Sequence, residues 1–140
     1  MIPSESAAMS LQRFLKAQKS SYAGALAELR AGRKTEHWIW WIFPQLRGLG
    51  QSHNSVHYGL ADQTEARAYL EHPILGPRYR ESVAAVHGHL CRGSVDPLTL
   101  MGSDIDVLKL RSSLELFLQV APETDVSLRA QAAAILAVLR

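Results

Sequence analysis

The feature that most constrains the fold is the even spacing of helix starts and stops along the chain. Almost every apolar stretch is bracketed by a residue that caps a helix and one that ends it, and between the brackets apolar residues recur three and four apart. "SLQRFLKAQ" opens on Ser10, a good N-cap, and sets Leu11, Phe14 and Leu15 on one face. "SYAGALAELRAG" aligns Tyr22, Ala25, Leu26 and Leu29 on a second helix that Gly32 stops. "TEHWIWWIF" reads as a short helix capped by Thr35, with Glu36 in its first turn. Pro44 ends it, because proline disfavours helical dihedrals in the residue before it.

Asp62 and Glu65 make a capping-box pattern at the head of "DQTEARAYLEH", which Pro73 closes. Pro77 suits the first position of a helix in "GPRYRESVAAVHGHLC". Ser103 caps "DIDVLKLRSSLELFLQVA", Pro122 stops it, and the alanine-rich "DVSLRAQAAAILAVLR" is a last helix. "LRGLGQSHNS" reads as loop, and only "HYGLA" and "SVDPLTLM" have strand character. The sequence therefore predicts an all-α fold of about six helices with little or no sheet. It forms a single helical domain over residues 10–140 behind a flexible N-terminus of residues 1–9.

Composition narrows the classes. A chain of 140 residues is one domain with room for a real core. Hydrophobic residues at 47% and charged residues at 20% argue against disorder. A net charge of +2, with cations clustered only at Arg30, Arg33 and Lys34, argues against a nucleic-acid partner. No run approaches the ~18–20 apolar residues of a membrane span. The single cysteine, Cys91, rules out an internal disulfide and reads as a small core residue. "MIPSESAAMSLQRF" has no basic residue ahead of its apolar stretch, so it does not resemble a secretory signal, and the expected location is cytoplasmic.

All three tryptophans, Trp38, Trp40 and Trp41, fall within four positions. On a helix from Thr35, Trp38 shares a face with Trp41 and Ile42, and Ile39 with Ile42 and Phe43. Such a segment is apolar all round and is therefore buried. Each indole N–H also wants a partner, so at least one tryptophan is expected to line a concave surface. Arg30, Arg33 and Lys34 stand just before this helix end, where unpaired amides attract anions; a phosphate or carboxylate there would have a tryptophan to stack on. The competing reading leaves those cations solvated or capping the preceding helix. Gly48 and Gly50 in "RGLGQS" permit positive φ and close backbone approach beside the tryptophans.

His37, one turn from Trp41, is a candidate base, against the plainer role of a hydrogen-bonded neighbour. Asp106, Lys109 and Ser112 are spaced three apart on one helix face, with Asp106 a candidate acid or base. The plainer reading is a helical ion pair worth a few tenths of a kcal/mol. His53 with His57, and His87 with Cys91, stand four apart without the further ligands a zinc site needs, so neither metal nor cofactor is expected.

"AGRKTEHWIWWIFPQLRGLGQS", "EARAYLEHPILGPRYRE" and "DVLKLRSSLELF" resemble, in order and spacing, the bacterial and fungal domain-of-unknown-function family numbered 1810, from about Leu11 to Phe117. Some of its members carry a calpastatin label. The resemblance implies a mainly α-helical protein with no established activity, and its motifs add Gln45, Ser52, Tyr58 and Arg78 to the candidates. The chain departs from the family in "SDIDVLKL", where a proline–aspartate start is usual, and at Glu115, where threonine is usual. A looser likeness is to the NADAR family, helical proteins associated with ADP-ribose and N-glycosidic bond hydrolysis.

These likenesses imply binding or hydrolysis of a small anionic molecule, nucleotide or ADP-ribose-like. Lys34 and Arg78 would hold the anion, Trp41 would stack, Gln45 would orient the ligand, and Asp106 with His37 would move protons. Arg33, Trp38, Gly48, Gly50, Ser52, Tyr58, Lys109 and Ser112 would complete the pocket. The alternative is a non-catalytic module that docks a protein on an exposed aromatic surface, which predicts a flat patch without converging polar groups. A third reading is a structural oligomer that buries that surface across a two-fold axis.

Overall fold

Where the sequence suggests two helices before Gly32, the chain has one. The computed structural model describes residues 5–139, with side chains from residue 10, and opens on α1, Glu5–Ala31. Ser21 does not break this helix because its Oγ donates back to the Ala17 carbonyl at 2.6 Å, one turn earlier. Ser10 lies inside α1, not at its cap, and its hydroxyl donates to Glu65. Of the expected flexible stretch, residues 1–4 lie outside the described residues and 5–9 are the start of α1.

Seven more helices follow: α2 Ile39–Ile42, α3 His53–His57, α4 Gln63–Glu71, α5 Leu75–Leu90, α6 Pro97–Met101, α7 Asp104–Val120 and α8 Val126–Val138. The count of eight among the described residues exceeds the expected six because two five-residue helices occupy stretches read as loop and strand. In α3 the Ser52 hydroxyl accepts from the Ser55 amide at 3.1 Å. In α6 the Asp96 carboxylate accepts from the Thr99 amide at 2.7 Å, and Pro97 occupies the first turn, where its missing N–H costs nothing. "HYGLA" contributes only an isolated parallel bridge between Leu60 and Leu46, and no strand is present among the described residues.

The longer caps follow the sequence. Asp62, Ser103 and Asp125 each accept from the amide three residues on, heading α4, α7 and α8. The α5 helix starts two residues ahead of Pro77, because the imidazole Nδ1 of His72 accepts from the Ile74 and Leu75 amides at 3.1 and 3.3 Å. Gly76 must be glycine: a Cβ there would sit 2.1 Å from the Leu70 carbonyl oxygen. Cys91 ends α5 and is exposed, so it is not the core residue its apolar surroundings suggested.

Helix α5 packs against α1, α4 and α8, while α7 packs against α4, α6, α8 and the short α2. A relay of rings fills the space between them. Phe14 meets Tyr69 edge-on at 5.0 Å, Tyr69 and Tyr79 both meet Phe117, and Tyr79 meets Phe43. Each buried phenol finds a polar partner: Tyr79 bonds Ser113 at 2.9 Å, and Tyr69 accepts from the Gln18 amide at 3.0 Å. Burial pushes both phenols well above their ordinary pKa. The packing of α2 and α6 against α7 brings residues 34–55 beside the first turns of α7. No described helix is long and apolar enough to cross a membrane.

Candidate functional site

The site starts from a carboxylate on α1. Glu28 Oε1 accepts from the Thr35 amide at 2.7 Å, the Glu36 amide at 3.0 Å and the Trp38 indole at 3.0 Å. Burial opposes its ionisation, but the hydrogen bonds from Glu36, Thr35 and Trp38 outweigh it and hold Glu28 below the usual carboxylate range. The amides expected to bind a foreign anion thus already hold one from their own chain. With them engaged, Thr35 does not cap a helix; α2 begins only at Ile39, after an uncapped Trp38. Trp38 is 2% exposed, its N–H is satisfied, and it belongs to the core instead of a ligand surface.

The same turn fixes Lys34. Its amide donates to the Leu100 carbonyl at 2.8 Å, which ties the segment to α6. Its ammonium lies 2.8 Å from Asp106 Oδ2, donates to the Glu36 carbonyl at 2.7 Å, and sits 4.9 Å from the Trp38 ring centroid. The side chains of Lys34 and Asp106 are 6% and 16% exposed, so this pair is largely withdrawn from water. Asp106 stands in the first turn of α7, where its amide donates to Ser103 Oγ at 3.1 Å. It therefore pairs across the fold with Lys34, not along its own helix with Lys109.

Three hollows meet at this end of α7. One of about 350 Å³ is lined by Lys34, Thr35, His37, Trp40, Asp106 and Lys109, among others. A second of about 440 Å³ is lined by Gln45, Gly50, Ser52, Leu108, Lys109 and Ser112, among others. A third, with room for about one water, lies against Trp40, Gln45, Tyr58 and Lys109. Lys109 borders all three. Among the described residues no carboxylate pairs with it; its neighbour is the Trp40 ring, 5.7 Å from Nζ to the centroid. The Trp40 N–H is buried with no hydrogen-bond partner among the described residues.

Of the residues singled out from sequence, Lys34, His37, Gln45, Gly50, Ser52, Tyr58, Asp106, Lys109 and Ser112 border these hollows. Trp38, Trp41, Arg33, Gly48 and Arg78 do not. Trp41 faces α1: its N–H donates to Ser21 Oγ at 2.8 Å and its ring packs 5.1 Å from Tyr58. Arg78, on the face of α5 toward α1, lies 4.8 Å over the Tyr22 ring and donates to Gln18 Oε1 at 3.3 Å. Arg33 is exposed, and Gly48 takes φ +100° in an exposed turn. Gly50 serves close approach: a Cβ there would meet Ser55 Oγ at 2.6 Å.

Trp40 is the bordering residue that sequence reasoning passed over. The six consecutive apolar residues Trp38 to Phe43 carry no periodicity that separates an inward face from an outward one. Ile105 and Leu108 were also missed, although two exposed apolar residues three apart at the head of a helix are a readable signal. No group of three or more His, Cys, Asp or Glu side chains converges on a metal position among the described residues.

Comparison with known proteins agrees with this fold. The model of a family described as "Protein of unknown function (DUF1810)" matches residues 8–134. The crystal structure of the conserved hypothetical protein Rv1873 from Mycobacterium tuberculosis, at 1.38 Å, is similar to the chain with a TM-score of 0.79 and 42% identity. The similarity covers 91% of this chain and 84% of that one. No curated protein matches.

Proposed function

The chain belongs to the DUF1810 family of proteins of unknown function, and from that premise we propose that the cleft between residues 34–55 and the start of α7 binds a small anionic molecule, nucleotide or ADP-ribose-like. The observation that carries this reading is Lys109, an ammonium that pairs with no carboxylate among the described residues, set beside the Lys34–Asp106 pair where two hollows of ligand-holding size adjoin. A buried ion pair is poor value as a purely structural element, since apolar residues of the same volume stabilise as well or better. One facing a polar hollow is better suited to recognising a ligand's donors and acceptors. Asp106 and His37 both border the 350 Å³ hollow and are its proton-moving groups, so hydrolysis of an N-glycosidic bond would fall to them.

A second reading has its own observation. Leu49, Ile105 and Leu108 are 61%, 63% and 59% exposed on the rim of the 440 Å³ hollow, an apolar surface on which a protein partner could dock.

A thermal-shift titration with nucleotides, ADP-ribose and sugar phosphates tests the first. A ligand at 100 times its Kd stabilises the folded protein by about 2.7 kcal/mol, a readily measured rise in Tm, and Lys109→Met should remove that rise. Chromatography of the same mixtures for released base tests turnover, which Asp106→Asn should stop. If no compound moves Tm, and Leu108→Asp abolishes a protein contact of the folded wild type, the docking reading replaces the first.

A further inference from the structure

Resting on that reading and sharpening it, we infer that the ligand's anion lies in its middle, as a pyrophosphate or phosphodiester joining two arms, and not at one end. Lys109 is placed for this. It borders the 350 Å³ hollow, the 440 Å³ hollow and the small space between Trp40, Gln45 and Tyr58, and Ile105 is shared by the two large hollows. A terminal phosphate calls for a cation at the closed end of one pocket. Here Lys109, the one lysine of the cleft lining that pairs with no carboxylate among the described residues, stands between two open spaces, and each is large enough for half of such a molecule.

The two sides differ in chemistry. On one, Lys34 and Asp106 put an ammonium beside a carboxylate, with Thr35 and Ser103 nearby. That set both donates and accepts, as adjacent sugar hydroxyls require. On the other, Leu49 and Leu108 are apolar and largely exposed, Ile105 is shared with the first side, and Gln45, Gln51, Ser52, Ser55 and Ser112 supply polar points among them. That set suits a flat heterocycle, whose faces need apolar cover and whose edge needs a donor and an acceptor. The ligand class is a sugar joined through a phosphate linkage to a nucleoside.

Calorimetry with ADP-ribose, AMP and ribose 5-phosphate at one salt concentration decides it. ADP-ribose should bind at least 100-fold tighter than either half, because the halves reach only one side each. Lys109→Met should lose at least tenfold for ADP-ribose. Its unliganded melting curve should match the wild type, since the side chain pairs with no carboxylate. Gln45→Ala should weaken AMP while leaving ribose 5-phosphate unchanged. If AMP or ribose 5-phosphate binds as tightly as ADP-ribose, the central-anion inference is overturned and the proposed function stands. If none of the three binds, both fall.

Discussion

The Lys34–Asp106 pair makes a sharp prediction because its partners are unequally sheltered. In Asp106→Asn the ammonium of Lys34, 6% exposed, loses its counter-charge and keeps only neutral partners, the substituted side chain's amide oxygen besides the Glu36 carbonyl and the Trp38 ring face. Removing one member of a buried pair costs 3–5 kcal/mol in general; these neutral contacts put this case near the bottom of that range, about 3 kcal/mol. In Lys34→Met the stranded partner is Asp106, 16% exposed, and water can reach it more readily, so the cost should be about 1.5 kcal/mol. The double variant Lys34→Met/Asp106→Asn strands no charge and should cost about 1 kcal/mol, which gives a coupling of about 3.5 kcal/mol across the cycle. For a domain of this size each kcal/mol moves Tm by about 3–5 °C, so Asp106→Asn should melt about 10 °C below wild type. Guanidinium unfolding followed by tryptophan fluorescence, with m-values checked for constancy, supplies the four free energies. The reasoning is refuted if Asp106→Asn costs under about 0.5 kcal/mol, or if Lys34→Met costs more than Asp106→Asn. The first outcome would describe a solvent-screened surface pair.

Three further outcomes follow from neighbouring geometry. Gly76→Ala should cost at least about 3 kcal/mol, because its Cβ meets the Leu70 carbonyl oxygen at 2.1 Å; Gly24→Ala, with nothing within 4 Å on α1, should gain up to about 1 kcal/mol by the same denaturant assay. Glu28 and Glu65 are both held below the usual carboxylate range, by hydrogen bonds that outweigh the burial opposing them. Their stabilisation is therefore fully present above the unfolded pKa of about 4.3 and is lost as pH falls through the lower folded values. An acid titration of the unfolding free energy should show that loss, and Glu28→Gln should flatten it while lowering stability at pH 7. Trp38→Phe, which removes the bond to Glu28, should cost about 2 kcal/mol. Trp40→Phe, which deletes a buried donor with no partner among the described residues, should fall within about 1 kcal/mol of wild type. If Trp40→Phe proves the more damaging of the two, an unseen acceptor holds its indole.

Fold class was legible because helix ends carry chemistry that acts locally. Asp62, Ser103 and Asp125 accept from the third amide on, as their residue types predict, and α4, α7 and α8 start where they stand. The misreadings have equally local causes. The sequence reads as a second helix beginning at Ser21, but nothing in it reveals that Ser21 will bond Ala17 and let α1 run on. "SVDPLTLM" holds both an alternating pattern and an Asp–Pro helix start, and the cap prevailed because α6 is docked against α7.

The cleft was half legible for a different reason. Lys34 and Asp106 could each be named, but their pairing is tertiary, and so is the split that turns Trp41 toward Ser21 on α1 and Trp40 toward Lys109 on α7. The anion-binding amides ahead of the tryptophans were correctly sensed and wrongly assigned. A cationic turn with free amides does attract a carboxylate, and Glu28, on the helix just before it, reaches that turn first. Filling that position from within the chain fixes Lys34 for Asp106 and leaves Lys109 as the cleft's one cation with no protein counter-charge among the described residues. On the proposed reading, an anion arriving from solution would be drawn to the junction of the hollows and not to the helix end that the sequence advertises.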